Sequence, residues 1–188
     1  MVEHVDLSAL TALRLPRIYQ LGLVVHSIDR ALQFYGRFLS IRTWYRGEVG
    51  EQETAFHGAP IEMEADMVFG YSGKLMIELI EVKGGAENIY TEHLERFGEG
   101  LHHLGVEVSD FDRRMQMVED MGISVLQSGT VVSKGGAISR MAYLDTAPLC
   151  GYPIELMETR LFGVPCGKSR FMMRVGCLLG DATKIQVA

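Results

Sequence analysis

An α+β fold made of two tandem β-α-β-β-β modules, joined into a paired, curved mixed sheet, is what this sequence predicts. Three observations predict it. The first is an internal repeat: Gln20–Arg30 reads QLGLVVHSIDR and His103–Arg113 reads HLGVEVSDFDR, with Leu-Gly, a closing Val and Asp-Arg at matching places. The second is a later echo in the same order, Ile77-Glu78-Leu79 returning as Ile154-Glu155-Leu156. Two echoes in one order mean a module written twice. The third is that each repeat runs from an alternating, β-branched segment through one helical stripe into three further extended segments.

Ile18 to His26 alternates and is rich in Val and Ile, so it reads as a strand. Ser27 follows as a helix N-cap, with Asp29 in the first turn where the helix dipole favours a negative charge. Ile28, Ala31, Leu32, Tyr35, Phe38 and Leu39 then recur at helical spacing, and Gly36 among them permits close packing on a sheet. Ile41–Glu48, Ile61–Tyr71 and Lys74–Val82 are the next strands, the last two joined by a tight Ser72-Gly73 hairpin; Gly47 to Pro60 reads as a loop. Gly84-Gly85 opens a linker with a short helix from Ala86 to Phe97. The second module repeats the order: a strand over Leu101–Val108, a helix over Asp110–Met121 stopped at Gly122, and strands over Ile123–Val132, Ala137–Thr146 and Tyr152–Glu158. The expected organisation is therefore an N-terminal arm (1–17), a first module (18–82), a linker helix (83–100), a second module (101–158) and a C-terminal extension (159–188). The extension has no counterpart in the first half; Phe171–Leu179 reads as a helix there.

The chain has 188 residues, 47% hydrophobic and 22% charged, as in an ordinary soluble globular protein. A net charge of −6 argues against a general nucleic-acid binder, because Lys and Arg are not in excess. Three cysteines without metal-ligand spacing read as free thiols in a reducing compartment. The N-terminus lacks the basic and apolar regions of a signal peptide, and no apolar run reaches the ~18 residues of a membrane span. The expectation is a cytoplasmic protein acting on a small molecule.

The repeat superimposes four polar residues, Gln20, Glu78, His103 and Glu155, each in an otherwise apolar strand. Ile18, Gln20, Gly22 and Val24 share one face of the first strand, and Met76, Glu78 and Ile80 share one face of the fourth. A carboxylate with apolar neighbours on its own face is costly to bury without compensating charge. Two modules paired about a pseudo-two-fold axis bring the first and fourth strands of both into one cavity, so these four side chains would meet as metal ligands. One divalent ion is expected in that central cavity. Mixed O/N ligation admits zinc, nickel, cobalt or manganese.

The plan resembles the vicinal oxygen chelate superfamily, the glyoxalase, bleomycin-resistance and dioxygenase fold, over about residues 16–159. Gly98-Glu-Gly-Leu-His-His103 followed by Leu104-Gly-Val-Glu-Val-Ser-Asp110 is similar to the corresponding stretch of methylmalonyl-CoA epimerases, as is Leu79-Ile80-Glu81 before a polar linker helix. Carried across, the resemblance gives the same ligand set. Epimerases usually place His where this chain has Gln20. One branch of glyoxalase I uses Gln, Glu, His and Glu in this order, but with Arg and Asn at the glutathione-reading positions, which here are Val24 and Val82. The resemblance implies a carboxylate base, with Glu155 first and Glu78 the second carboxylate of the ligand set. It implies an additional acid on the third strand, where Glu62, Glu64 and Asp66 alternate; Glu64 and Asp66 are the candidates. His102 is expected to point away from its neighbour, and His4, His26, His57 and His93 to be surface residues.

The leading reading is a metal-dependent isomerase or lyase that moves a proton next to a carbonyl, epimerase-like, with an acyl thioester as substrate. A glyoxalase I-type lyase acting on a thiol hemithioacetal is the first alternative. A metal-free binding or resistance protein with an aromatic pocket from Tyr19, Trp44, Tyr45, Phe56 or Phe69 is the second. Extradiol ring cleavage ranks last, because its iron site needs a second histidine where Gln20 stands. Modules of this kind often pair between chains, which would make a homodimer.

Overall fold

The computed structural model describes residues 9–187; residues 1–8 of the expected N-terminal arm, with His4, lie outside the described residues. The first half contains β1 (Gln20–Val24), α1 (Ile28–Phe38), β2 (Thr43–Gly47), β3 (Val49–Phe56), β4 (Ala59–Ile61), β5 (Met63–Ser72) and β6 (Leu75–Gly85). After α2 (Ile89–Phe97) come β7 (Gly100–Glu107), α3 (Phe111–Asp120), β8 (Val125–Ser133), β9 (Ile138–Leu144), α4 (Ala147–Cys150) and β10 (Ile154–Leu161). The C-terminal extension adds β11 (Val164–Pro165), α5 (Arg170–Leu179) and β12 (Ala182–Gln186).

The local signals hold where side-chain period and caps are clear. The Ser27 side chain accepts from the Arg30 amide at the start of α1. Asn88 and Thr91 form a reciprocal capping box on α2, satisfying amides that the first turn leaves free. Gly73 turns the β5–β6 hairpin with φ +62°, and Gly36 leaves room on α1 for Val187, whose Cγ1 would lie 2.9 Å from an added Cβ.

Among the described residues the strands form one curved mixed sheet in the order β12-β2-β5-β6-β1-β7-β10-β9-β8-β3-β4, with β11 on β10. β1 runs parallel to β6 and β7 parallel to β10, while β1 and β7 pair antiparallel at the centre. The two halves therefore meet about a local pseudo-two-fold axis between β1 and β7.

One expectation fails. Gly47 to Pro60 is not a loop but the β3–β4 hairpin, and β3 leaves its own half to pair with β8 of the other, Thr54 opposite Gly129 and Phe56 opposite Gln127. Val49 to Glu53 is exposed on both faces, so no alternation marks the strand and backbone pairing alone holds it there. On the opposite edge β12 pairs with β2, placing Ile185 opposite Trp44. Each half is thus completed by a strand from outside its own module.

The outer face of the sheet is covered by α1 and α3. Ile28, Ala31 and Leu32 pack on Leu23, Trp44, Val68, Ile77 and Leu79, and Phe111 and Val118 pack on Val106, Ala142, Leu144 and Leu156. Trp44 lies in this outer core with its Nε1 donating to the Ile41 carbonyl at 2.9 Å, so it lines no inner pocket. The inner face is closed at one end by α2, through Ile89 and Tyr90, and at the other by α5, through Met173 and Cys177. What remains between the two helices is the middle of β6, β1, β7 and β10.

Candidate metal centre

The register brings all four sequence-predicted residues to that middle. Gly22 is opposite both Glu78 and His103, and Gly105 is opposite both Gln20 and Glu155. Cross-strand partners share a face, so Gln20, Glu78, His103 and Glu155 converge on the inner side. All are buried, from 0% exposure for Gln20 and His103 to 3% for Glu78.

The repeated Leu-Gly now has a physical reason. A Cβ on Gly22 would lie 1.8 Å from the His103 ring, and a Cβ on Gly105 would lie 2.5 Å from Gln20 Oε1. Each glycine leaves the space into which the other half's donor folds.

The Gln20 amide nitrogen donates to Glu78 Oε2. A carboxylate only accepts, so this bond orients the amide and leaves Gln20 Oε1 free. His103 Nε2 lies 3.3 Å from Glu78 Oε2 and 3.2 Å from Glu155 Oε2. Ligand atoms of Glu78, His103 and Glu155 all fall within 4.8 Å of one another. Three atoms here, Gln20 Oε1, His103 Nε2 and Glu155 Oε2, are buried without a hydrogen-bond partner. Buried polar atoms are nearly always satisfied, and a cluster of orphans needs an explanation. A divalent cation fits: two carboxylates balance its charge, the imidazole nitrogen and amide oxygen complete a mixed O/N set, and every orphan is a potential ligand atom. In the metal-free protein burial lowers the pKa of His103, but Glu155 and Glu78 beside it outweigh burial and raise it to about 9.

His102 does not point away from this cluster. The β1–β7 register slips between Gly22, opposite His103, and Leu23, opposite Leu101, so β7 carries an extra residue there, a β-bulge. Leu101 packs into the outer core and His102 turns inward, its Nδ1 3.0 Å from His103 Nδ1. Strict alternation had placed His102 outside, and a bulge is what breaks alternation. Both rings stand edge-on to Tyr143, and His102 also meets Tyr90 and His93. Burial, then the neighbouring His103, push the His102 pKa down to about 2, so its imidazole is neutral. His93 is therefore half-buried against this cluster, while His26 and His57 are exposed. Tyr90 and Tyr143 share a hydroxyl hydrogen bond of 2.7 Å, and burial raises both their pKa values.

Glu64 and Asp66 do not join the centre. Asp66 is opposite Glu81 and Phe69 opposite Glu78, so Asp66 lies on the outer face. It pairs there with Arg46 at 3.3 Å and Lys83 at 3.8 Å. Glu64 is exposed beside it. The alternation of these acids is that of a solvated strand face.

A cavity of about 110 Å³ opens on the inner face towards α5, walled by Met67, Phe69, Met141, Met172 and Met173, with Lys168 at its rim. None of the four central residues lines it directly; its wall residue Phe69 stands opposite Glu78 in the β5–β6 register. The Lys168 ammonium sits 4.9 Å over the Phe69 ring. Lys168 also borders an outer groove with Arg17, Lys74, Arg170 and Tyr19. Part of these walls comes from the C-terminal extension, which carried no functional signal in the sequence. Cys150, Cys166 and Cys177 are free thiols. No helix among the described residues is long and apolar enough to cross a membrane.

Comparison with known proteins agrees with this architecture. The uncharacterized protein YqjC of Bacillus subtilis is 23% identical over 144 residues, 77% of this chain and 93% of its own. A hypothetical protein of Bacillus halodurans superimposes with a TM-score of 0.54 at 23% identity, covering 77% of this chain and 95% of the other. A variant of Streptomyces coelicolor methylmalonyl-CoA epimerase in complex with 2-nitronate-propionyl-CoA gives 0.54 at 22% identity, covering 76% and 96%. The epimerase of Mycobacterium tuberculosis gives 0.51 at 17%, covering 73% and 84%. At these identities the likeness is one of fold. A family model described as the Glyoxalase/Bleomycin resistance protein/Dioxygenase superfamily matches residues 19–143, including Gln20, Glu78 and His103. The chain belongs to that superfamily.

Proposed function

We propose that this superfamily member is a metal-dependent isomerase or lyase that moves a proton next to a carbonyl, with an acyl thioester as substrate. The observation that carries the reading is the convergence of three unpartnered, buried donor atoms, Gln20 Oε1, His103 Nε2 and Glu155 Oε2, beside Glu78. Gln20, Glu78, His103 and Glu155 would hold a divalent cation, which when bound supplies a Lewis acid for the negative charge that develops on a carbonyl oxygen as the adjacent proton leaves.

The two carboxylates are not equivalent. Glu78 Oε2 is engaged by the Gln20 amide, whereas Glu155 Oε2 accepts no hydrogen bond. Glu155 is therefore the group positioned to take the proton, and Glu78 the one that holds charge and orients the amide. Met67, Phe69, Met141 and Met173 form an apolar wall suited to an acyl chain. Arg17, Lys74, Lys168 and Arg170 line a second groove that shares Lys168 with this cavity, with Glu107 as its one acid, a local excess of positive charge on a chain of net charge −6. Such an excess suits the phosphates of a carrier such as coenzyme A, the carrier named in the Streptomyces coelicolor epimerase complex. The hemithioacetal reading is disfavoured, because Val24 is fully buried and Val82 packs with it into the apolar end under α2. Neither position can read a charged thiol conjugate.

Elemental analysis of untagged protein beside a His103→Ala variant tests the metal. About one divalent ion per chain, lost in the variant, is expected. No ion in the wild-type protein after reconstitution would overturn the reading. Deuterium exchange next to the thioester of acyl-coenzyme A substrates, set against methylglyoxal with glutathione, separates the two chemistries.

A further inference from the structure

The bulge in β7 places two histidine rings with their Nδ1 atoms 3.0 Å apart. A neutral imidazole has one N–H and one bare nitrogen, so a single proton lies between the two Nδ1 atoms. Which ring owns it is decided on the far side of His103. There Nε2 faces Glu78 and Glu155, and a nitrogen that ligates a cation must be bare, so the neutral His103 ring carries its proton on Nδ1. The His102 Nδ1 that meets it is then the bare one, and the proton of His102 sits on its Nε2.

We infer that His102 is a positioning residue that sets the tautomer of His103: it accepts the His103 Nδ1 proton, so that the ring, once it gives up its second proton on metal uptake, presents a bare Nε2 to the space between Glu78 and Glu155. The relay runs from His102 Nδ1 through the His103 ring to the point where His103 Nε2 stands 3.3 and 3.2 Å from the two carboxylates. Its geometry is held by packing. His102 is 2% exposed, with Tyr90, His93 and Tyr143 rings 5.1 to 5.9 Å away, and Tyr90 and Tyr143 are tied to each other. Tyr90 and His93 both belong to α2, which makes the helix between the two modules the support of the second module's donor. A ligating histidine whose other nitrogen is oriented in this way is a stronger and better-aimed ligand.

The inference rests on the metal reading above, and its test separates the two. Zinc titration calorimetry would compare wild-type protein, His102→Leu and His102→Asn; asparagine can put an acceptor oxygen near the place of Nδ1, and leucine cannot. The expected result is zinc binding weakened by about 10- to 100-fold in the leucine variant and largely restored by asparagine. In zinc-loaded, nitrogen-15-labelled wild-type protein, a scalar coupling between the two Nδ1 nuclei should report the shared hydrogen bond, with the His102 proton on Nε2. Zinc binding in His102→Leu as tight as in wild type, or a His102 proton found on Nδ1, would overturn the inference and leave the metal reading standing. Failure of the wild-type protein to bind zinc, nickel, cobalt or manganese would overturn both. If the leucine variant does not fold, the wild-type nitrogen spectrum alone decides.

Discussion

In the first half of the sheet Gln20 and Glu78 hold each other, amide nitrogen on carboxylate, across neighbouring parallel strands. In the second half His103 and Glu155 stand 3.2 Å apart with no hydrogen bond to orient them, and His103 is gripped from behind by His102. The backbone repeat is close, down to the glycine beneath each donor. The means of support differ, because an amide carries its own second hydrogen-bonding group towards its neighbour while an imidazole carries its second nitrogen away from the site. The second half therefore needs a partner behind the ring, and the bulge in β7 supplies it; the register of β1 with β6 has no such slip. Duplicated backbone does not imply duplicated chemistry.

The largest expected effect tests the two carboxylates. Glu155→Gln should lower turnover on an acyl thioester by about 10²- to 10⁴-fold, measured by deuterium exchange. Glu78→Gln should lower it less and act mainly through metal retention. Equal losses in turnover with metal retained in both variants would erase the distinction between a free carboxylate and an engaged one.

The glycines sharpen the comparison next. Gly22→Ala drives a methyl into the caged His103 ring, 1.8 Å away, whereas Gly105→Ala meets the Gln20 side chain at 2.5 Å. Each should cost about 1–3 kcal/mol of stability by overpacking, read by thermal denaturation. Gly22→Ala should also abolish zinc binding, while Gly105→Ala weakens it only in part, since a neutral amide oxygen is the poorer donor. The reverse order would mean that Gln20 is the better-supported ligand.

A smaller effect concerns protons. Without metal His103 has its pKa raised from 6.5 to about 9 by Glu155 and Glu78, against burial. A raised pKa means that this group's contribution to stability is fully present below about pH 6.5. It is lost as pH climbs through about 9. Metal needs the neutral ring, so uptake at neutral pH should release about one proton per ion, and apparent affinity should rise as pH approaches that value. Calorimetry in two buffers of different ionisation enthalpy counts that proton; no release would mean that His103 is already neutral in the empty site.

The central strands and their inward polar residues were legible because period-2 burial and an internal repeat are both written locally: Gln20, Glu78, His103 and Glu155 sit in apolar runs whose alternation gives their face. Glu64 and Asp66 alternate just as clearly, and only the register with β6 reveals that their face is the outer one. His102 was hidden for the opposite reason. A bulge is a relation between two strands, and neither strand's sequence announces it, although the doubled histidine beside a repeated glycine was a signal that the position is unusual. Lys168, Met172 and Met173 were invisible as cavity-lining residues because the extension has no copy in the first half against which to read it.

By itself, then, the sequence determined the module, its duplication, the Ser27 cap of α1 and the four inward polar positions, since each depends on the spacing of residues along one chain segment. The tertiary structure decided which strand completes which half, that β3 crosses to β8 and β12 closes on β2, and which nitrogen of His103 is left facing the carboxylates. Those outcomes depend on backbone pairing and packing between segments far apart in the chain, where hydrogen bonds common to every residue do the selecting and side-chain pattern leaves no mark.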